Sequence, residues 1–107
     1  MERRLVLGQA IPAAGVLSGL YTVPGLTEAV CSTLIVCNQG AATTYRVSVA
    51  PAGAVDATYQ YIVRDDTLKA NESKSFTLGI TLSATDVVRV YSVSGSVSFS
   101  LFGVQLQ

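Results

Sequence analysis

The chain has 107 residues and a mass of 11.2 kDa, enough for one domain with a core of its own. Half of the residues are hydrophobic and only 13% are charged. Seven basic and seven acidic side chains cancel. That balance excludes the basic surplus of a nucleic-acid binder and the charge excess of a disordered tail, and it favours association over life as a free monomer.

Taken in chain order, the residues predict strands. Leu5–Gln9 reads as a short strand or an extended arm, followed by a Pro- and Gly-broken loop, Ala10-Ile11-Pro12-Ala13-Ala14-Gly15. Residues 1–15 are taken as an extended N-terminal arm and 16–107 as the folded domain. Val16–Val23 stops at the turn dipeptide Pro24-Gly25. Glu28–Asn38 follows, with Val30, Leu34 and Val36 on one face and Cys31, Ile35 and Cys37 on the other. Both faces are apolar, as in a strand covered on two sides.

Thr43–Ala50 alternates clearly, Tyr45, Val47 and Val49 against Thr44, Arg46 and Ser48. Pro51 and Gly53 end it, and Ala50–Ala57 is the one place for a short helix. Thr58–Arg64 alternates again, setting Tyr59, Tyr61 and Val63 against Gln60, Ile62 and Arg64. Residues 64–74 hold six of the fourteen charges and read as a solvated stretch. Ser75–Leu82, Val87–Val93 and Val97–Leu106 complete the set, and the last pattern alternates until Phe102. Fifteen valines and ten threonines suit pleated, half-buried surfaces. Seven to eight short strands between Gly, Pro, Asn and Asp clusters predict an all-β, single-domain antiparallel sandwich of jelly-roll type.

The sequence is poor in chemistry. With no histidine, Ser-His-Asp and Cys-His catalysis and His-ligated zinc are excluded. No apolar run approaches the roughly 20 residues of a membrane-spanning helix. Leu5-Val6-Leu7 falls short of a secretory apolar core of about 7–15 residues. Cys31 and Cys37 lie about 20 Å apart along an unbroken strand, too far for a disulfide. Their even spacing places both on one face as buried thiols.

The paired acids Asp65-Asp66 read as solvated charge or a subunit salt bridge, and Asp86 as a turn residue bonding nearby backbone N–H groups. The tyrosines and phenylalanines read first as core, with a sugar-stacking surface through Tyr59 and Tyr61 as the rival. Arg46 and Arg89 are interface candidates able to pair with a partner's acids, with plain solvent exposure as the alternative. No cofactor or metal is expected, and no enzyme.

Three stretches, Leu20-Tyr21-Thr22-Val23-Pro24, Leu34-Ile35-Val36-Cys37-Asn38 and Ala42–Ala50, resemble a family of small tailed-bacteriophage virion proteins. So do Leu78–Leu82, Thr85–Tyr91 and Ser98–Val104, so that the resemblance spans residues 5 to 106. It implies a non-enzymatic structural protein of the particle, made in the host cytoplasm. The first expectation is a capsid decoration, or cement, protein that binds the assembled shell. Its partners would be the major capsid protein and sister subunits, as a homotrimer. A tail, baseplate or fibre-attachment protein is the alternative, and a host-glycan module the second. On either virion reading the arm would reach a neighbour through Arg3, Arg4, Leu5, Leu7, Ile11 and Pro12, and deleting residues 1–10 would leave the domain folded. No membrane or nucleic-acid partner is expected.

Overall fold

The computed structural model describes residues 2–107. Eight strands form: β1 (Glu2–Ala10), β2 (Ser18–Thr22), β3 (Glu28–Asn38), β4 (Thr43–Ala50), β5 (Tyr61–Leu68), β6 (Ser73–Leu82), β7 (Val87–Ser92) and β8 (Val97–Leu106). Two single turns of 3-10 helix, Pro51–Gly53 and Thr58–Gln60, lie between β4 and β5. The strands make two four-stranded sheets, ordered β1-β8-β3-β6 and β2-β7-β4-β5, and every pairing is antiparallel. This is the jelly-roll arrangement that the turn spacing and alternation lead one to expect.

The core lies between the sheets. Leu34, Val36, Phe99 and Leu101 of the first sheet meet Tyr45, Val47, Val88 and Val90 of the second, all buried. The rings of Tyr45 and Phe99 sit 6.1 Å apart and tilted by 58°, a favourable aromatic geometry. At the far side of the core, Gln105 Nε2 donates to Tyr21 Oη at 2.6 Å, so the two buried polar groups satisfy each other across the sheets.

Four expectations change. The N-terminal segment is no free arm: Glu2–Ala10 pairs with β8 from Glu2–Leu106 to Ala10–Phe99. The backbone polar groups on its β8 side find partners in the sheet, and Leu7 packs against the core. Removing residues 1–10 would therefore strip β8 of a neighbour and uncover a long strand edge, rather than leave the domain intact.

The faces of β3 also differ from the simple alternation. Ser32 is an extra residue against β8, where Cys31 pairs with Gly103 and Thr33 with Phe102. Parity therefore flips there. Ala29 and Cys31 point inward before the bulge, Leu34 and Val36 after it, and Val30 points out. Cys31 is buried while Cys37 is half-buried on the outer face, so the two do not share a face, and both thiols are free. The third change concerns β5, which extends to Leu68 and bulges at Ile62 and Asp65. Val63 stays opposite Val47, but Tyr61 pairs with Ser48 and belongs to the outer face. Phe102 does not break β8; it takes an outward position in an unbroken alternation.

Gly103 shows how tightly the bulge is built. A side-chain carbon at this position would sit 2.1 Å from the Val30 carbonyl oxygen and 3.0 Å from Leu7 Cδ1. The first contact is with backbone and has no rotamer to relieve it. Gly103→Ala is expected to lower unfolding stability by about 1–3 kcal/mol in urea titration. Gly25→Ala, with nothing within 4 Å, is expected to stay near wild type. Equal stabilities for the two variants would contradict the bulge geometry.

Candidate interaction surfaces

The two outer faces of the sandwich differ in chemistry. On the first sheet the outward residues run in cross-strand rows. One row is Val6, Phe102, Thr33 and Thr77; the next is Gln9, Ser100, Ile35 and Ser75. On the other side lies the row Arg4, Val104, Val30 and Thr81. The charges of the face are Glu2, Arg4 and Glu28, gathered at one end. Glu2 and Arg4 form an exposed ion pair at 3.5 Å, of little energetic weight. Beyond them the face presents the Phe102 ring, methyls, hydroxyls and amides, with Gln9 Nε2 donating to Ser100 Oγ and Gln39 Nε2 to Ser98 Oγ, each at 3.3 Å.

The second sheet's outer face is charged, and its charges are spent within the chain. Arg46 donates to Asp65 through Nε at 2.7 Å and Nη2 at 3.3 Å, a two-pronged pair across the β5 bulge. Its guanidinium also lies 4.9 Å from the centre of the Tyr91 ring. Arg64 covers Tyr61 in the same way at 5.3 Å, and Tyr61 Oη donates to Asp56 at 2.8 Å. Arg89 reaches the carbonyls of Ala54 at 2.8 Å and Gly53 at 3.2 Å, pinning the β4–β5 connection over the sheet. Ser48 and Ala50 are buried on this outward side of β4, in keeping with that cover. Arg46 and Arg89, candidates for reaching a partner, are thus engaged inside their own chain.

Asp65 and Asp66 do not act as a pair. The Arg46 hydrogen bond holds the Asp65 carboxyl below the ordinary carboxylate range. Asp66 accepts from Tyr45 Oη at 2.6 Å and from Lys74 Nζ at 2.9 Å, and those bonds, Tyr45 first, hold it low as well. Burial, and then the Asp66 carboxylate, raise the Tyr45 hydroxyl well above its usual range. Burial alone pushes the Cys31 thiol up to about 11, which leaves it protonated and unreactive at neutral pH.

The sandwich ends are tied by single polar residues. Asp86 accepts from the backbone N–H of Ser83 at 2.9 Å and of Ala52 at 2.8 Å, the turn role expected of it. Asn38 is buried and joins three turns. Its Nδ2 donates to the carbonyls of Ala41 at 2.8 Å and Lys69 at 3.1 Å, and its Oδ1 accepts from Gly40 N at 3.1 Å and Ser96 Oγ at 2.8 Å. Nothing in the sequence distinguishes Asn38 from an ordinary turn asparagine; its hub role needs the three loops in place.

The remaining candidates do not gather into one site. Arg3 and Arg4 are exposed on β1, Leu5 and Leu7 are half-buried there, Ile11 is exposed and Pro12 buried. Of the aromatics, Tyr21, Tyr45 and Phe99 are core, Tyr61 and Tyr91 lie under arginines, and Tyr59 stands 85% exposed. No stacking platform of several rings results. Tyr59 borders an open groove of about 370 Å³ between β6 and the β4–β5 side, whose apolar walls include Val49, Ile62, Ile80 and Leu82. Among the described residues, no three or more Cys, Asp or Glu side chains cluster to hold a metal ion, and no helix is long and apolar enough to cross a membrane.

No protein-family model and no curated protein matches the chain. Its fold is similar to part of a chain in the structure of infectious bursal disease virus, Gx strain, with a TM-score of 0.55 at 10% identity. The similarity covers 98% of this chain and 32% of that one, so the present chain spans about a third of its length. At this identity the likeness is one of fold: a jelly roll of a kind also found in a virus particle.

The Asp66 cluster gives a pH test. Its pKa is lowered on folding, so its stabilisation is present above the unfolded value near pH 4 and is lost as pH falls through the lower folded value. Asp66→Asn is expected to flatten the fall in thermal midpoint below pH 4. Wild-type and variant curves that stay parallel there would show that the bonds to Tyr45 and Lys74 carry no pH-dependent stability.

Proposed function

We propose that the protein is a non-enzymatic structural component of a virus particle, and that it is a decoration protein of a tailed-phage shell. The observation that carries this reading is the outer face of the first sheet. It is wide, nearly uncharged, and built on a rigid jelly roll whose own charges are neutralised elsewhere. Such a face desolvates cheaply against another protein, because few ions must leave water. The absence of histidine, the resemblance to small phage virion proteins and the fold shared with a viral chain all point the same way.

The mechanism needs no bond chemistry. A domain that binds the assembled shell, and not its separated subunits, stabilises the shell by mass action. The face would lie across shell subunits, with the charged second sheet turned to solvent. A tail or baseplate position is the competing reading and uses the same surface on a different partner.

Quantitative mass spectrometry of purified particles that contain the chain separates the two. A copy number comparable to that of the main shell protein is expected for decoration. A few copies per particle would move the protein to the tail, and absence from washed particles would end the virion reading.

A further inference from the structure

A two-sheet sandwich has four edge strands, here β1, β6, β2 and β5. Each leaves a row of backbone donors and acceptors unpaired, and proteins normally block such rows with charge, shortness or bulges. Three of the four are blocked. β1 carries Glu2, Arg3 and Arg4 and bulges between Val6 and Gly8. β2 has five residues and a bulge between Gly19 and Tyr21. β5 has two bulges, Asp65 at a φ of 55°, and the charges Arg64, Asp65 and Asp66.

β6 is the least defended of the four, with one irregularity and no charge beyond its first two residues. It runs ten residues and pairs with β3 alone. Lys74, its one charge, is drawn back onto Asp66 and the Thr67 carbonyl of its own chain. From Ser75 to Leu82 there is no charge and no proline, and the in–out alternation is unbroken. The register shift against β3 sets Leu78 and Gly79 of β6 opposite Ser32 alone, yet the in–out alternation of β6 runs through it. Phe76, Leu78 and Ile80 pack on the core but stay partly exposed at the open side of the sandwich.

We propose that β6 is a pairing edge, and that its occupant is the β6 strand of a second copy of this chain, antiparallel about a two-fold axis. Self-pairing must keep inward residues opposite inward residues. The register that sets Leu78 opposite Leu78 does so along nearly the whole strand. It places Phe76 opposite the second copy's Ile80, an aromatic–β-branched pair, and Ser75 opposite the second copy's Thr81, a hydroxyl pair. Each contact occurs twice, as a two-fold interface requires. The groove beside Ile80 supplies an independent reason. It is apolar, open and adjacent to the seam, and the second copy's Phe76 is the side chain that this register brings to it.

The two-fold axis stands perpendicular to the sheet, so the first sheets of both copies join into one of eight strands. Their uncharged outer faces then lie on the same side. The assembly has two copies, not the three that the phage resemblance implies. The pairing does not depend on the virion reading and can be tested without a particle.

Ser75 and Thr81 are exposed on the outward side, so lysine or glutamate there leaves the core untouched. The test is sedimentation equilibrium at high micromolar concentration on wild type, S75K/T81K and S75E/T81K. Wild type is expected at twice the chain mass. S75K/T81K sets lysine against lysine twice and should dissociate at least about ten-fold more readily. S75E/T81K sets glutamate against lysine twice and should restore the dimer. A monomeric or trimeric wild type would overturn the proposal, as would an S75K/T81K dimer as tight as wild type or an S75E/T81K variant no tighter than S75K/T81K.

Discussion

Within β3 the inward parity changes at Ser32, and the Val30 carbonyl occupies the place where Gly103 would otherwise carry a side chain. β3 is an inner strand of its sheet, bonded to β8 on one side and β6 on the other. Without the bulge, in plain alternation, Cys31 and Leu34 are three residues apart and would face opposite ways, and half of the strand would present its apolar set to water. With it, Ala29, Cys31, Leu34 and Val36 all reach the core. The same bulge fixes what faces out: Val30, Thr33 and Ile35, in register with Val104, Phe102 and Ser100. The outer face of the first sheet and the core are therefore set by one close backbone approach, which only glycine permits.

Much of the architecture was legible in the residues. The runs Glu28–Asn38, Thr43–Ala50 and Val97–Leu106 coincide with strands as observed, and the turn clusters separate them correctly. The errors fall where an added residue resets the period. Ser32, Ile62 and Asp65 are each compatible with plain alternation on paper, because a bulge is defined by the partner strand and not by its own sequence. The N-terminal segment was misplaced for a related reason. Its arginines and its proline-broken exit resemble an arm, whereas its fate is decided by β8, ninety residues away, which needs a neighbour.

Interaction residues were harder to read. Arg46 and Arg89 look free in sequence because their partners, Asp65 and the carbonyls of Gly53 and Ala54, come together only when β4, β5 and β7 are side by side. The low overall charge was the better guide. Nearly half of it lies in residues 64–74, on or beside β5 and β6, where Asp65, Asp66 and Lys74 find partners inside the chain. What remains is a protein with one polar, self-satisfied face and one face that offers, away from the charged end, an aromatic ring, methyls, hydroxyls and amides. On that contrast rests the assignment of the first sheet to protein contact.

The central claim is that this uncharged face, and not the charged one, meets the particle. Charge can be placed on either face without touching the core: Thr33→Lys at the centre of the first sheet, Thr67→Lys on the outside of the second. The direct measurement is the amount of each variant that sediments with particles lacking the native protein, beside a thermal midpoint that certifies folding. The account predicts that Thr33→Lys is lost from the particles while Thr67→Lys stays bound at the wild-type level. Retention of Thr33→Lys together with loss of Thr67→Lys would place the contact on the opposite sheet and contradict it.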